Sequence, residues 1–366
     1  MGKRFVIKIG SNILSSELRG LDTDIIKSLA KHISQISSMG YEVVIVSSGA
    51  VAAGMKKLGL KAKPKDIRLK QAAAAIGQSS LMWAYEKAFA EYDHKVAQIL
   101  LTREDFSDRK KYINVKNTIT ILLSYGIIPV INENDTVATD EIKFGDNDNL
   151  AALVAILSEA EKLVILSDVD GLYEKDPRVH SQARLIPYVD EITSDIEGIA
   201  GGTLTAVGTG GMYSKILAAK KATTHGIAVI ITSGKKPELL SSIVEGKESG
   251  TLFKPSKGKI SHKKGWIAYS SRSKGSVTLD DGAIKAIIEM GKSLLPSGII
   301  HIEGNFEVGD SVNCLNAEGK RVAKGLINYS SSDMKKIIRR KTTEIEGILG
   351  YKYSDEVIHR DNMVIL

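Results

Sequence analysis

Cysteine is nearly absent from this sequence. Its 366 residues contain one, Cys314, which excludes a disulfide framework and a multi-cysteine zinc site. The plain reading of Cys314 is a small buried hydrophobe. No run approaches the roughly 18–20 apolar residues of a membrane span. The opening Met1-Gly2-Lys3-Arg4 turns straight into a short strand pattern. It lacks the apolar stretch and small-residue cleavage site of a secretory signal, which predicts a cytoplasmic chain with no membrane partner. Histidine is scarce, with seven residues, none beside the loops described below. There is no H-E-x-x-H and no defensible serine–histidine–aspartate pattern. G-x-x-x-x-G-K-[ST] and G-x-S-x-G are both missing, which excludes a Walker-type nucleotide site and a serine hydrolase elbow.

What is present is ordinary for a globular chain: 43% apolar and 25% charged residues, at a length that fits two or three domains. The net charge of +7 is unevenly placed. Residues 1–255 carry 32 Lys and Arg against 30 Asp and Glu, whereas residues 256–366 carry 18 against 13. Such asymmetry hints at a second module with an anionic partner, scattered surface lysines being the bland alternative.

Short apolar runs alternate with helical patterns over the first 235 residues. Strands are expected at 4–9, 42–47, 96–101, 127–131, 163–166 and 227–231, and helices at 22–39, 70–92, 115–125, 148–159 and 212–224. Apolar strands without alternation, separated by helices, predict an α/β fold: a three-layer sandwich whose mostly parallel sheet is covered on both faces. The stretch 253–265 is polar, basic and glycine-bearing and reads as a break. Beyond it, short strand-like pieces at 276–279, 298–302, 311–315 and 320–329, with one helix at 281–289, suggest a small mainly β barrel. The chain thus divides into a domain at 1–255, a linker at 256–273, a second domain at 274–353 and a tail at 354–366.

In a parallel sheet ligands bind at the carboxyl ends of the strands. Small, polar or acidic residues stand there four times: Gly10-Ser11-Asn12, Ser48-Gly49-Ala50, Asn132-Glu133-Asn134-Asp135 and Ser167-Asp168. Lys8 enters the first of these turns, where an ammonium beside backbone N–H groups suits a phosphate. Ser48-Gly49-Ala50 opens a helix, whose free N–H groups favour an anion, though a simple cap explains it equally well. In Phe144-Gly145-Asp146-Asn147-Asp148-Asn149-Leu150, four adjacent Asp and Asn residues precede an apolar helix. The EF-hand spacing fails because Ala151, Ala152 and Leu153 follow. With Asn132 to Asp135, this segment suits the amino group and carboxylate of an amino acid. Thr209-Gly210-Gly211-Met212-Tyr213-Ser214-Lys215 is a glycine loop entering a helix, with Lys215 one turn in. The chemistry looks like lysines, glycines and acids around phosphates.

The segments V-I-K-I-G-S, V-I-V-S-S-G-A-V-A-A-G, P-V-I-N-E-N-D, F-G-D-N-D-N-L, L-S-D-V-D-G-L-Y and G-T-G-G-M-Y-S-K, in that order, resemble the amino acid kinase family over essentially the whole chain. Residues 274–353, with Gly304-Asn305-Phe306 and Val308-Gly309-Asp310, look like a PUA domain, an RNA-binding type of pseudobarrel. The resemblance implies an ATP- and Mg²⁺-dependent kinase. Its N-E-N-D and G-D-N-D-N motifs point to glutamate rather than aspartate, acetylglutamate, carbamate or uridylate. It implies that Lys8, Lys215 and Asp148 are catalytic, and that Ser48, Asp135 and Asn147 bind glutamate. It assigns ATP to Lys8, Ser167, Asp168 and the loop from Thr209, Gly210, Gly211, Met212, Tyr213 and Ser214 to Lys215. Proline as feedback inhibitor, a homo-oligomer and a reductase for the acyl phosphate come with it. Two other readings stand beside this one: an RNA-binding protein with a kinase-like sensor, and a family kinase for another acid.

Overall fold

The structure is a computed structural model that describes residues 3–16, 20–60, 62, 64–137, 147–201, 211–247, 249–256, 267 and 273–366. The chain forms two compact units, Met1–Asp105 with Lys110–Lys259, and Phe106–Arg109 with Ile260–Leu366.

The first unit is built on an eight-stranded sheet. Its strands are β1 (Arg4–Ile9), β2 (Glu42–Ser47), β3 (Val96–Leu101), β4 (Ile128–Glu133), β5 (Lys162–Ser167), β6 (Tyr188–Val189), β7 (Ala228–Ser233) and β8 (Thr251–Phe253). They lie in the order β3-β4-β2-β1-β5-β7-β8-β6, and all neighbours run parallel except β7 and β8. The helices that matter below are α1 (Thr23–Ser38), α2 (Ala50–Lys57), α3 (Ile67–Ala90), α4 (Arg109–Ser124), α5 (Asn147–Leu157) and α6 (Met212–Thr224). β1 is buried along its whole length, which is why it reads as an unbroken apolar run rather than an alternation.

Alternation still decides which way each side chain points. Phe5, Ile7 and Ile9 pack with Ile26, Leu29 and Ile33 of α1 and with Leu81 and Tyr85 of α3. Lys8 therefore points to the other face, where α5 lies. The Asp22 carboxylate accepts from the N–H groups of Asp24 and Ile25 and starts α1; a cap of this kind stabilises a helix by about 1 kcal/mol. α2 and α3 cross with their backbones almost touching. A Cβ at Gly54 would lie 1.7 Å from the Ala73 carbonyl oxygen, and one at Gly77 would lie 1.7 Å from that of Ala50.

The second unit has its own sheet and core. Its strands β9 (Ser273–Leu279), β10 (Ile299–Gly304), β11 (Ser311–Leu315), β12 (Arg321–Leu326) and β13 (Met363–Ile365) lie in the order β10-β9-β11-β12-β13. Two further helices, α7 (Asp281–Ile288) and α8 (Ser331–Ile337), accompany them. Cys314 sits fully buried among Val277, Val312 and Ala323. Burial pushes its thiol up to about 12, so it packs as a small apolar group.

Several boundaries differ from expectation. The segment 354–366 is no tail: Met363–Ile365 pairs antiparallel with β12, and Val357 and Ile358 are fully buried. A three-residue strand carries no period to detect. Phe253, the first residue of the expected break, is fully buried and pairs with Val189 and Val229. Ile267, inside the expected linker, is fully buried too, while 257–266 and 268–272 lie outside the described residues. Helix α4 starts at Arg109 rather than 115; its first turns carry the charged run Arg109-Lys110-Lys111, and Tyr112 in them is buried.

Candidate active site

The strand ends β1, β2, β4 and β5 line up. Ile9 pairs with Ser47 and with Leu166, and Val46 pairs with Ile131, which sets Ser47 beside Asn132. The loops that follow these strands open on one edge of the sheet, as expected.

Asp148, in the first turn of α5, is fully buried. Its Oδ1 lies 2.5 Å from the Lys8 ammonium and its Oδ2 lies 3.0 Å from that of Lys215. The Ser214 hydroxyl lies 2.8 Å from the same Oδ2. Burial pushes the Asp148 carboxyl up, but the two ammonium groups and their hydrogen bonds outweigh it and hold the group at about 2. The carboxylate therefore stays ionised at neutral pH. Its contribution to stability is complete above the ordinary carboxylate range and is lost as pH falls through the lowered value. Two ammoniums against one carboxylate leave a net positive charge, the balance a phosphoryl group seeks. The Lys8 ammonium folds back over Gly10, 3.6 Å from where a Cβ would stand.

Beside this trio lies a chain of amides. Asn147 Nδ2 donates toward the Ser47 carbonyl, Ser48 Oγ and Asn132 Oδ1, each at 2.9 Å. Both of its hydrogens are thus committed, and Oδ1 is the atom left for a ligand. As a residue expected to bind glutamate, Asn147 offers an acceptor in the structure, which suits an ammonium. Ser48 accepts from Asn147, so its own hydrogen remains to be donated. Gly49 has φ +104°, the left-handed conformation that glycine adopts without strain, and it turns the chain from β2 into α2. Asp135 stands half-buried in the turn after β4.

On the other side, Ser167 ends β5 and its hydroxyl donates to Asp168 Oδ1 at 3.2 Å. Asn12 Nδ2 lies 3.5 Å from Asp168 Oδ2. Gly211 and Met212 lead into α6, and Tyr213 is largely exposed. Thr209 and Gly210 lie outside the described residues. The structure thus brings Lys8, Asp148, Ser214 and Lys215 into one contact set, and Ser48 and Asn147 into another beside it.

Two side chains that sequence reasoning missed reach the second set from α3. Asn132 Nδ2 donates to Gln78 Oε1 at 2.9 Å, and the Tyr85 hydroxyl lies 2.9 Å from Ser47 Oγ. A polar pair two helical turns apart on the buried face of an alanine-rich helix is the signal that marks them.

The amino acid kinase family model matches residues 3–233. The chain belongs to the amino acid kinase family. The kinase also matches the PUA domain model at residues 275–349. It is 51% identical to glutamate 5-kinase of Geobacter sulfurreducens over 364 residues, covering 100% of this chain and 98% of that protein. It is 52% identical to glutamate 5-kinase of Caldanaerobacter subterraneus subsp. tengcongensis over 363 residues, 99% of this chain and 98% of the other. Among solved structures, carbamate kinase from Giardia lamblia bound to AMP-PNP matches 70% of the kinase and 99% of that chain, with a TM-score of 0.52 and 19% identity, a likeness of fold alone. ATP use comes with membership of this kinase family.

Proposed function

We propose that this kinase transfers the γ-phosphoryl group of ATP to the side-chain carboxylate of L-glutamate, giving L-glutamyl 5-phosphate, the first step of proline biosynthesis. The observation that carries the reading is Asp148 held between Lys8 and Lys215, in a chain that aligns end to end with glutamate 5-kinases. A carboxylate is already ionised at neutral pH, so no general base is needed. The obstacle is the approach of two anions. Lys8 and Lys215 neutralise the transferring group, Asp148 aligns both ammoniums, and the Gly10 and Gly211 turns offer backbone N–H groups to phosphate oxygens.

We assign glutamate to Ser48, Asp135 and Asn147. The Ser48 hydroxyl and the N–H groups at the start of α2 take a carboxylate; Asp135 and Asn147 Oδ1 take the ammonium. We assign the nucleotide to Ser167, Asp168 and the loop from Thr209 to Lys215. Mg²⁺ belongs to the proposal as a companion of the nucleotide phosphates, which hold it with one or two carboxylates; Asp168 is the carboxylate on that side. No helix among the described residues is long and apolar enough to cross a membrane, and we place the enzyme in the cytoplasm as a homo-oligomer. The acyl phosphate product hydrolyses readily, so a reductase that consumes it is the expected pathway partner.

The test is direct. Full-length protein with ATP, Mg²⁺, L-glutamate and hydroxylamine is expected to form γ-glutamyl hydroxamate. Equal or faster turnover of aspartate or N-acetylglutamate would refute the substrate. Asp135→Asn removes the charge assigned to the ammonium, worth about 1.5–3 kcal/mol for a charged hydrogen bond. The KM for glutamate is expected to rise about ten- to a hundredfold with that for ATP nearly unchanged. Proline, with one carboxylate and a secondary ammonium, fits the same pocket as feedback inhibitor, so its inhibition weakens in the same variant. Equal effects on both KM values would make Asp135 structural.

A further inference from the structure

We propose that Gln78 and Tyr85 are positioning residues for the acceptor side of the site, acting from α3 through Asn132 and Ser47. The proposal rests on the reading of Ser48 and Asn147 as groups that bind the phosphoryl acceptor.

Both side chains are buried, Gln78 at 7% exposure and Tyr85 at 0%. They stand two turns apart on one face of α3. The hydrogen bonds leave each amide one orientation. The Glu133 N–H donates to Asn132 at 2.8 Å, so the accepting atom there is Oδ1. The Ser47 carbonyl accepts from Asn147 at 2.9 Å, so the donating atom there is Nδ2. Asn132 must then present its own Nδ2 to Gln78, and Gln78 must answer with Oε1. The Gln78 Nε2 is left buried without a hydrogen-bond partner among the described residues. That is a costly arrangement, and it is explained if the demand of Asn132 for an acceptor decides how Gln78 turns. Tyr85 does the matching work one strand over. Its hydroxyl meets Ser47 Oγ, which in turn donates to the Ser48 carbonyl at 3.0 Å. Burial raises the Tyr85 pKa, so the group remains a neutral hydroxyl.

Without Gln78, the buried Asn132 amide is an orphaned donor beside the same oxygens that Asn147 Nδ2 uses. Asn132 then turns to satisfy that donor, and Asn147 loses its bond to Asn132 Oδ1, one of the three that turn its own Oδ1 outward. The Asp148 trio is held independently by Lys8, Lys215 and Ser214, and Ser167 takes no part in the amide chain. The effect therefore falls on the acceptor and spares the nucleotide.

The experiment uses the full chain and an ADP-release assay over glutamate, aspartate and N-acetylglutamate, with KM values measured on whichever acceptor the wild type turns over best. Wild-type preference for an acid other than glutamate overturns the substrate reading and leaves the positioning test intact. Gln78→Leu is expected to raise the acceptor KM about ten- to a hundredfold, with the KM for ATP within about threefold of wild type. Gln78→Glu, which keeps an acceptor for Asn132, is expected to restore most of the loss. If Gln78→Leu does not fold, Tyr85→Phe decides the matter: it removes one oxygen, and the acceptor KM is expected to rise about three- to tenfold. An unchanged acceptor KM, a parallel rise in the KM for ATP, or a Glu variant no better than Leu overturns the proposal.

Discussion

Lys215→Ala is expected to lower kcat by about 10²–10³ while the KM for glutamate changes little. Lys215 is buried against Asp148 at the entrance to α6, and its charge acts where the transferring phosphoryl group develops charge. Removing one preorganised donor of that kind costs on the order of 10²–10³ in rate. The loss appears in kcat because the interaction strengthens in the transition state rather than on binding. Asp148 keeps Lys8 and Ser214 as partners, so the variant is expected to fold. Lys215→Arg is expected to rescue poorly, since a planar fork does not fit a space shaped for a compact ammonium. Steady-state kinetics of ADP release check both variants, and a near-normal kcat for Lys215→Ala would make it a structural lysine.

The second large effect lies away from the phosphates. Gly77→Ala puts a methyl 1.7 Å from the Ala50 carbonyl oxygen and 2.5 Å from the Gly54 nitrogen. Both are backbone atoms, so no rotamer change relieves the clash, and α2 and α3 must move apart. Forcing volume into a packed contact costs about 1–3 kcal/mol and sometimes more. At roughly 2–4 °C per kcal/mol for a unit of this size, Tm is expected to fall by about 2–12 °C. Ala50 is the first residue of α2 and follows Ser48 and Gly49 directly, so the KM for glutamate is expected to rise with the same substitution. Gly198→Ala is the control. Gly198 lies in the helix Ser194–Gly201 with nothing within 4 Å of an added Cβ, and alanine there is expected to leave Tm unchanged or slightly raised. Differential scanning calorimetry of the two variants decides, and an unmoved Tm for Gly77→Ala would refute the close crossing.

Asn147 illustrates how far residue type alone carries. An asparagine at a helix start beside Asp148 is legible as a ligand group, but an amide can donate or accept. Which it does depends on Ser47, Ser48 and Asn132, and the first two lie about a hundred residues away in sequence. The role of Gln78 and Tyr85 was hidden for the same reason: their spacing on an alanine-rich helix marks them as a pair, but their partners lie on β4 and β2.

Local chemistry was enough for much of the rest. Unbroken apolar runs mark strands buried on both faces, and 42–47, 96–101, 311–315 and the helix 212–224 match the structure residue for residue. The strand-end rule then brings Lys8, Ser48, Asn132 and Ser167 to one edge of the sheet before any coordinates are known, because the position of a loop follows from strand direction. What only the tertiary structure decided is contact between side chains distant in sequence. Lys8, Asp148 and Lys215 meet at hydrogen-bond distance because β1, α5 and α6 pack together, and their mutual field, not any local pattern, holds the Asp148 carboxyl low. The last strand of the second unit, Met363–Ile365, was likewise decided by pairing: three residues have too little periodicity to declare themselves, and a β12 edge with unpaired hydrogen-bonding groups supplies the reason they are a strand.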